Sequence, residues 1–219
     1  MFSPYHNLAS KNDFDYILKC VNSKIININI VDNKGNSFLH YSLLNKNVNI
    51  SLILIKMNIN LNIINNYGDT ALHIACFNLL LLLKEKNLGI FNYFELIILM
   101  INKGAFKYNL NVNLKAPFDY LTILKNIKNE SGNSLLQIMI NKRKLDIAEF
   151  LINQLNFDLN IKNNNGETPL HSAVFNALKY FDETEHFDFL NYLYKVGYDG
   201  NIRDNKNLRA EDYLMKAFV

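Results

Sequence analysis

Short apolar segments with helical spacing alternate along the chain with polar segments that contain a glycine. In one apolar segment Leu96, Leu99 and Met100 recur at positions i, i+3 and i+4. This spacing places the three side chains on one face of an amphipathic helix. Because a single pair of such helices cannot bury its own apolar face, we predict helical pairs that stack against one another.

The polar segments share one order of residues: a turn former, two variable positions, glycine, a further residue, and then serine or threonine. A spacing near 33 residues with one doubled gap indicates an internal repeat. Each glycine supplies the positive φ of a tight turn, and Asp32 or an equivalent asparagine can bond local backbone amides. The glycines are Gly35, Gly68, Gly132 and Gly166, with spacings of 33, 64 and 34 residues.

Each predicted first helix begins just after the hydroxyl residue, which stands where an N-cap is needed. Pro4 and Pro169 fall in the first helical turn, where a missing N–H costs little. The four predicted N-caps are Ser37, Thr70, Ser134 and Thr168.

These motifs resemble the ankyrin repeat, whose unit has a turn with Asp or Asn and Gly, then Thr-Pro-Leu-His, and later Leu-Leu-x-x-Gly-Ala. The segment Asn163-Asn-Asn-Gly166-Glu-Thr168-Pro-Leu170-His171 carries the first motif, and Leu99-Met-Ile-Asn-Lys-Gly104-Ala105 carries the second. The resemblance covers nearly the whole chain in five to six units. It implies an all-α fold, an α-solenoid of stacked helix-turn-helix repeats with β-turn or hairpin tips.

The resemblance implies a single domain over residues 1–219, with a capping repeat at each end. In the C-terminal cap Asn207 replaces the turn glycine, a substitution that left-handed geometry tolerates. The ranges are an N-terminal cap at 1–31, repeats at 32–64, 65–105, 129–162 and 163–203, and a C-terminal cap at 204–219.

Three segments contain more residues than the repeat needs. The repeats at 65–105 and 163–203 carry insertions between their paired helices, which would lengthen the helices or form loops. Residues 106–128 form either a degenerate half-repeat that keeps the stack continuous or a projecting recognition element. In the second alternative Phe118 and Tyr120 would be the anchors.

The composition is dominated by asparagine, with 37 among 219 residues, while only 3 of the 23 basic residues are arginine. This bias is typical of an AT-rich genome. The asparagines are dispersed among regularly spaced Leu and Ile, which favours folded structure over a low-complexity tract. A net charge of +3 is too mild for a dedicated nucleic-acid-binding protein.

Few residues suggest chemistry, and we predict a protein that is not an enzyme, with no catalytic residue, cofactor or metal. Four of the five histidines share one repeat position, to which the resemblance assigns a structural role: His6, His40, His73 and His171. The buried-looking Cys20 and Cys76 indicate a reducing compartment. Two alternatives stay open: an enzyme or metal-binding protein with a site in 106–128 or near His186, and a weak nucleic-acid binder through Lys142, Arg143 and Lys144.

The ankyrin resemblance implies binding of a partner protein on a concave face formed by the turn tips. Among the tip residues Tyr67 is the expected hot spot, because aromatic residues are enriched among hot spots. We expect a monomeric cytoplasmic protein without nucleic-acid, membrane or small-molecule ligands, and a host-directed adaptor or inhibitor fits the AT-rich composition. The predicted contact residues are Asn33, Lys34, Asn36, Asn66, Tyr67, Asp69, Glu130, Ser131, Asn133, Asn164, Asn165 and Glu167.

Overall fold

The computed structural model of the chain describes residues 4–84, 90–105, 107, 111, 113, 115–181 and 184–217. Over these residues the fold is all-α, as the sequence predicts, with isolated β-bridges at Lys128–Ser134 and Arg203–Arg209. The chain divides into two compact units, Met1–Thr122 and Ile123–Val219, which we call unit 1 and unit 2.

Unit 1 is built from consecutive helix pairs whose members pack against the equivalent members of the next pair. Helix α1 packs on α3 and α3 on α5, while α4 packs on α6, so the apolar stripes are buried between pairs. The helices are α1 (Pro4–Ser10), α2 (Asp15–Asn22), α3 (Phe38–Leu44), α4 (Val48–Lys56), α5 (Ala71–Lys84) and α6 (Ile90–Asn102).

Unit 2 repeats this arrangement. Helix α7 packs on α9 and α9 on α11, and each of α7 and α9 also contacts the helix that follows it. The helices are α7 (Leu135–Asn141), α8 (Leu145–Leu155), α9 (Pro169–Lys179), α10 (Thr184–Lys195) and α11 (Ala210–Ala217). A 3₁₀ helix at Pro117–Asn126 precedes α7 in the chain.

The first helices of the pairs start at the hydroxyl residues that the sequence predicts. At α3, Ser37 Oγ accepts from the His40 amide at 3.4 Å, and the His40 ring accepts from the Ser37 amide at 3.2 Å. Such a reciprocal capping box satisfies two amides that a helix start otherwise leaves unpaired. Equivalent boxes begin α7 and α9.

The insertions between paired helices lengthen the helices. Helices α5 and α6 have 14 and 13 residues, against 7 and 9 in α3 and α4. Helices α9 and α10 have 11 and 12 residues. The intervening residues 85–89 and 182–183 lie outside the described residues.

The segment 106–128 contains the 3₁₀ helix, while residues 106, 108–110, 112 and 114 lie outside the described part of the chain. The Ala116 amide donates to Asp119 Oδ2 at 2.7 Å, the same i to i+3 pairing that Ser37 and His40 make. Phe118 is only 6% exposed, so it is part of the core and cannot be the anchor that the second alternative for this segment requires.

Candidate functional site

The turn tips are held by a side-chain oxygen that accepts backbone amides of the same turn. Asp32 Oδ1 accepts from the amides of Lys34 at 2.9 Å and Asn36 at 2.8 Å. Gly35 has a φ of 75°, and a Cβ added there would lie 2.9 Å from the Cα of Asn65 in the next turn. The turn therefore requires glycine for its backbone conformation and for the close approach of its neighbour.

Asparagine side chains also connect one turn to the preceding turn in unit 1. Asn65 Oδ1 accepts the amides of its own turn, and its Nδ2 donates to Asn36 Oδ1 at 3.0 Å. Asn66 pairs with the same neighbouring turn, because its amide donates to Lys34 O at 2.8 Å and its Nδ2 to Asn33 O at 3.0 Å. We call this set of contacts the asparagine ladder.

The asparagine ladder is present in unit 2 as well. Asn163 Nδ2 donates to Asn133 Oδ1 at 2.7 Å, and Asn164 Nδ2 donates to Glu130 O at 3.0 Å. Asn205 continues the pattern by donating to Asn164 O at 3.0 Å. An aspartate could accept the turn amides but has no N–H to donate, so the asparagines have a role that composition alone did not reveal.

At two turns an aspartate occupies the ladder position, and a tyrosine nine residues later donates to its second carboxylate oxygen. The Tyr41 hydroxyl donates to Asp32 Oδ2 at 2.6 Å, and Tyr213 donates in the same way to Asp204. Partial burial opposes ionisation of Asp32, but the hydrogen bonds from Tyr41 and two amides hold its pKa below the ordinary value. Burial and this bond raise the pKa of Tyr41 to about 12.

The recurring histidines bond adjacent turns, as the resemblance implies. Because the Ser37 amide donates to His40 Nδ1, the ring is neutral with its hydrogen on Nε2, which donates to Asp69 O at 3.0 Å. Burial lowers the pKa of His40 and keeps this form. In unit 2, Gln137 replaces histidine and donates from Nε2 to Glu167 O at 2.8 Å.

Eleven of the twelve predicted contact residues are exposed or half-buried at the turn tips. The exception is Asn36, which is 5% exposed and bonded to Asn65, so little of its side chain is accessible to a partner. Tyr67 is 55% exposed. The remaining residues lie in unit 1 (Asn33, Lys34, Asn66, Tyr67, Asp69) and in unit 2 (Glu130, Ser131, Asn133, Asn164, Asn165, Glu167).

The residues on which the alternative functions depend pack against other side chains of the chain. His186 is 2% exposed and stacks on Tyr180 with ring centroids 5.4 Å apart. The Arg143 guanidinium lies 4.5 Å from the centroid of the same ring. Among the described residues, which exclude Glu183, no three His, Cys, Asp or Glu side chains are grouped as metal ligands.

Both cysteines are buried, and desolvation raises the pKa of the Cys76 thiol. A thiol with a raised pKa carries little of the thiolate that nucleophilic chemistry needs. No helix in the described part of the chain combines the length and apolar character that a membrane span requires.

The family model described as "Ankyrin repeats (3 copies)" matches residues 6–105 and again residues 91–204. A putative ankyrin repeat protein of Rickettsia felis is 35% identical over 80 residues, which are 36% of this chain and 24% of that protein. A putative ankyrin repeat protein of Borreliella burgdorferi is 32% identical over 87 residues, 40% of this chain and 19% of that protein. The crystal structure of EF0377, an ankyrin repeat protein, is 20% identical with a TM-score of 0.42, covering 99% of this chain and 92% of that one.

Proposed function

Because the chain belongs to the ankyrin repeat family, we propose that it binds a partner protein through its exposed turn residues and catalyses no reaction. Ankyrin repeats generally mediate protein–protein interaction. The matched parts of the two curated relatives span 24% and 19% of their lengths, so the proposal concerns this chain alone.

One observation carries the proposal: the turn backbones are fixed while the side chains at their tips remain exposed. Lys34 and Asn33 are exposed, although their carbonyl oxygens are bonded to Asn66 of the next turn. A surface with a preformed backbone loses little conformational entropy when a partner binds, so more of the contact energy becomes affinity. The tip residues therefore form a preorganised binding surface in each unit.

Tyr67 is the expected hot spot of this surface in unit 1. Its side chain is 55% exposed although its amide is held by Asn65 Oδ1 at 2.9 Å. Aromatic residues at such positions bury a large area at a small cost in side-chain entropy. Lys34 lies in the preceding tip and would add a charged contact at the rim of the surface around Tyr67.

Affinity capture with mass spectrometry, using the intact chain and a Tyr67→Ala/Lys34→Glu variant, tests the proposal. We expect at least a tenfold loss of captured partner. The matched control is Tyr16→Ala/Lys19→Glu on α2, because Tyr16 is also 55% exposed and Lys19 is exposed outside the turns. Equal capture by both variants would contradict the assignment of the tip surface.

We also propose that the protein acts as a monomer inside a cell, as a host-directed adaptor or inhibitor. The unpaired, buried Cys20 and Cys76 and the AT-rich composition support this proposal. Light scattering on the purified chain should give the monomer mass of 25.4 kDa, and twice that mass would contradict the proposed monomeric state.

A further inference from the structure

A cleft of about 340 Å³ lies in unit 1 between helices α3 and α5 and the 3₁₀ helix. This volume is at the lower end of the range of roughly 300–1,000 Å³ that is usual for ligand pockets. The buried His73, Ile74, Asn78 and Asn111 form its floor. A cleft of this size with a closed floor suits one long side chain better than an extended peptide segment.

The sides of the cleft are apolar and accessible. Leu44 is 53% exposed and Phe77 is 44% exposed, so both present apolar surface to solvent. The rings of Phe77 and Tyr120 meet edge to face, with centroids 5.7 Å apart and planes at 76°. Two aromatic rings at this angle offer a π-face to a cation that enters between the rings and Leu44.

One half-buried carboxylate lines the cleft. Among the described residues that line the cleft, Asp69 is the only acidic one and none is lysine or arginine. Asn111 donates to Asp69 Oδ1 at 2.7 Å and to the Tyr120 hydroxyl at 3.1 Å, which fixes the carboxylate beside the aromatic wall. His73 Nδ1 accepts the Thr70 amide at 3.0 Å, so the carboxylate of Asp69 sets the charge of the cleft.

We propose that this cleft receives an arginine side chain of the partner protein. Arginine combines an apolar stem, which would lie along Leu44 and Phe77, with a planar guanidinium that stacks on aromatic rings. The same group pairs with a carboxylate such as Asp69 through directed hydrogen bonds. An acidic side chain would be repelled by Asp69, and an aliphatic one would desolvate the carboxylate without bringing it a positive charge.

This inference rests on the proposed function and specifies the chemistry of the partner, but its test needs no partner. The full chain, labelled with ¹⁵N, is titrated with acetyl-Gly-Arg-Gly-amide and followed by NMR. The matched probe replaces arginine with citrulline, which keeps the shape and removes the charge. We expect saturable shifts at Asp69, Phe77 and Asn111 with the arginine peptide, and at least tenfold weaker binding of the citrulline peptide.

Two variants test the roles of the lining residues. Asp69→Asn should bring the two peptides within twofold of each other, whereas Asp15→Asn, an exposed carboxylate on α2, should keep the tenfold preference. Phe77→Ala should weaken arginine binding at least fivefold, and the exposed Tyr16→Ala should not change it. Circular dichroism spectra that match those of the parent chain would show that each variant is folded.

Equal binding of the two peptides, shifts confined to other residues, or no saturable binding of the arginine peptide would each overturn the inference. The proposed function would stand in those cases if partner capture still depended on Tyr67 and Lys34. Conversely, a partner that binds without these tip residues would contradict the proposed function and leave the peptide result unchanged.

Discussion

The asparagine ladder makes a specific energetic prediction at Asn163. The substitution Asn163→Asp keeps the oxygen that accepts the amides of Asn165 and Glu167, both at 2.9 Å. It removes the N–H that donates to Asn133 Oδ1 at 2.7 Å. Losing one such bond costs about 1 kcal/mol.

A second cost arises because Asn163 Nδ2 also donates to Glu167 Oε2 at 2.8 Å. An aspartate would place a like charge at this position, which adds about 1 kcal/mol at a half-exposed site. We therefore expect Asn163→Asp to lower the free energy of unfolding by about 2 kcal/mol. Asn65→Asp, where the donor bonds only the neutral Asn36 Oδ1, should cost about 1 kcal/mol.

Urea denaturation followed by circular dichroism at neutral pH measures both losses. The double variant Asn163→Asp/Glu167→Gln should recover about 1 kcal/mol, because the glutamine amide can donate to the new carboxylate. Lowering the pH should also reduce the loss, since protonation of either carboxyl removes the repulsion. If Asn163→Asp is as stable as the parent chain, the ladder contributes nothing and the reasoning is refuted.

Three further predictions concern other turn contacts, each measured by thermal or urea denaturation. Gly132→Ala should cost about 2 kcal/mol or more, because its Cβ would meet the backbone of the next turn at 2.9 Å, whereas Gly104→Ala, with open space around it, should cost only about 1 kcal/mol. Tyr41→Phe should cost about 1 kcal/mol. It should also make the free energy of unfolding depend less on pH in the acidic range, because Tyr41 helps to lower the pKa of Asp32. The lowered pKa gives stability that is present above the ordinary pKa of 3.8 and is lost as the pH falls through the lower folded-state value. Gln137→His should be nearly neutral, since histidine can accept the Ser134 amide and donate to Glu167 O as glutamine does. Gln137→Ala should cost about 2–3 kcal/mol. Equal losses for the two variants would contradict the bridging role of Gln137.

The predictions that succeeded depend on interactions within one turn or one helix start. The cap at Ser37 and the positive φ of Gly35 are set by residues within a few positions, so a sequence motif describes them completely. Asn207, with a φ of 62°, takes the glycine position of its turn as expected. The repeat spacing then determines which helices pack together.

The features that the sequence did not reveal depend on contacts between repeats. Asn36 stands at an apparent tip position, yet it is buried because Asn65 of the next turn bonds its side chain. Phe118 is buried in the 3₁₀ helix of its segment, so the alternative with Phe118 as an exposed anchor does not hold. The cleft beside Asp69 joins residues 42 positions apart through Asn111, a distance that no local motif spans.

The two sides of each repeat are chemically different, and this gives the stack a direction. Asn65 donates to the turn before it, whereas His40 donates to the turn after it. Each side therefore carries both a donor and an acceptor, and their partners lie on the opposite side of the neighbouring repeat. A second copy of the chain added head-to-tail would present these groups in the pairing that the repeats already use.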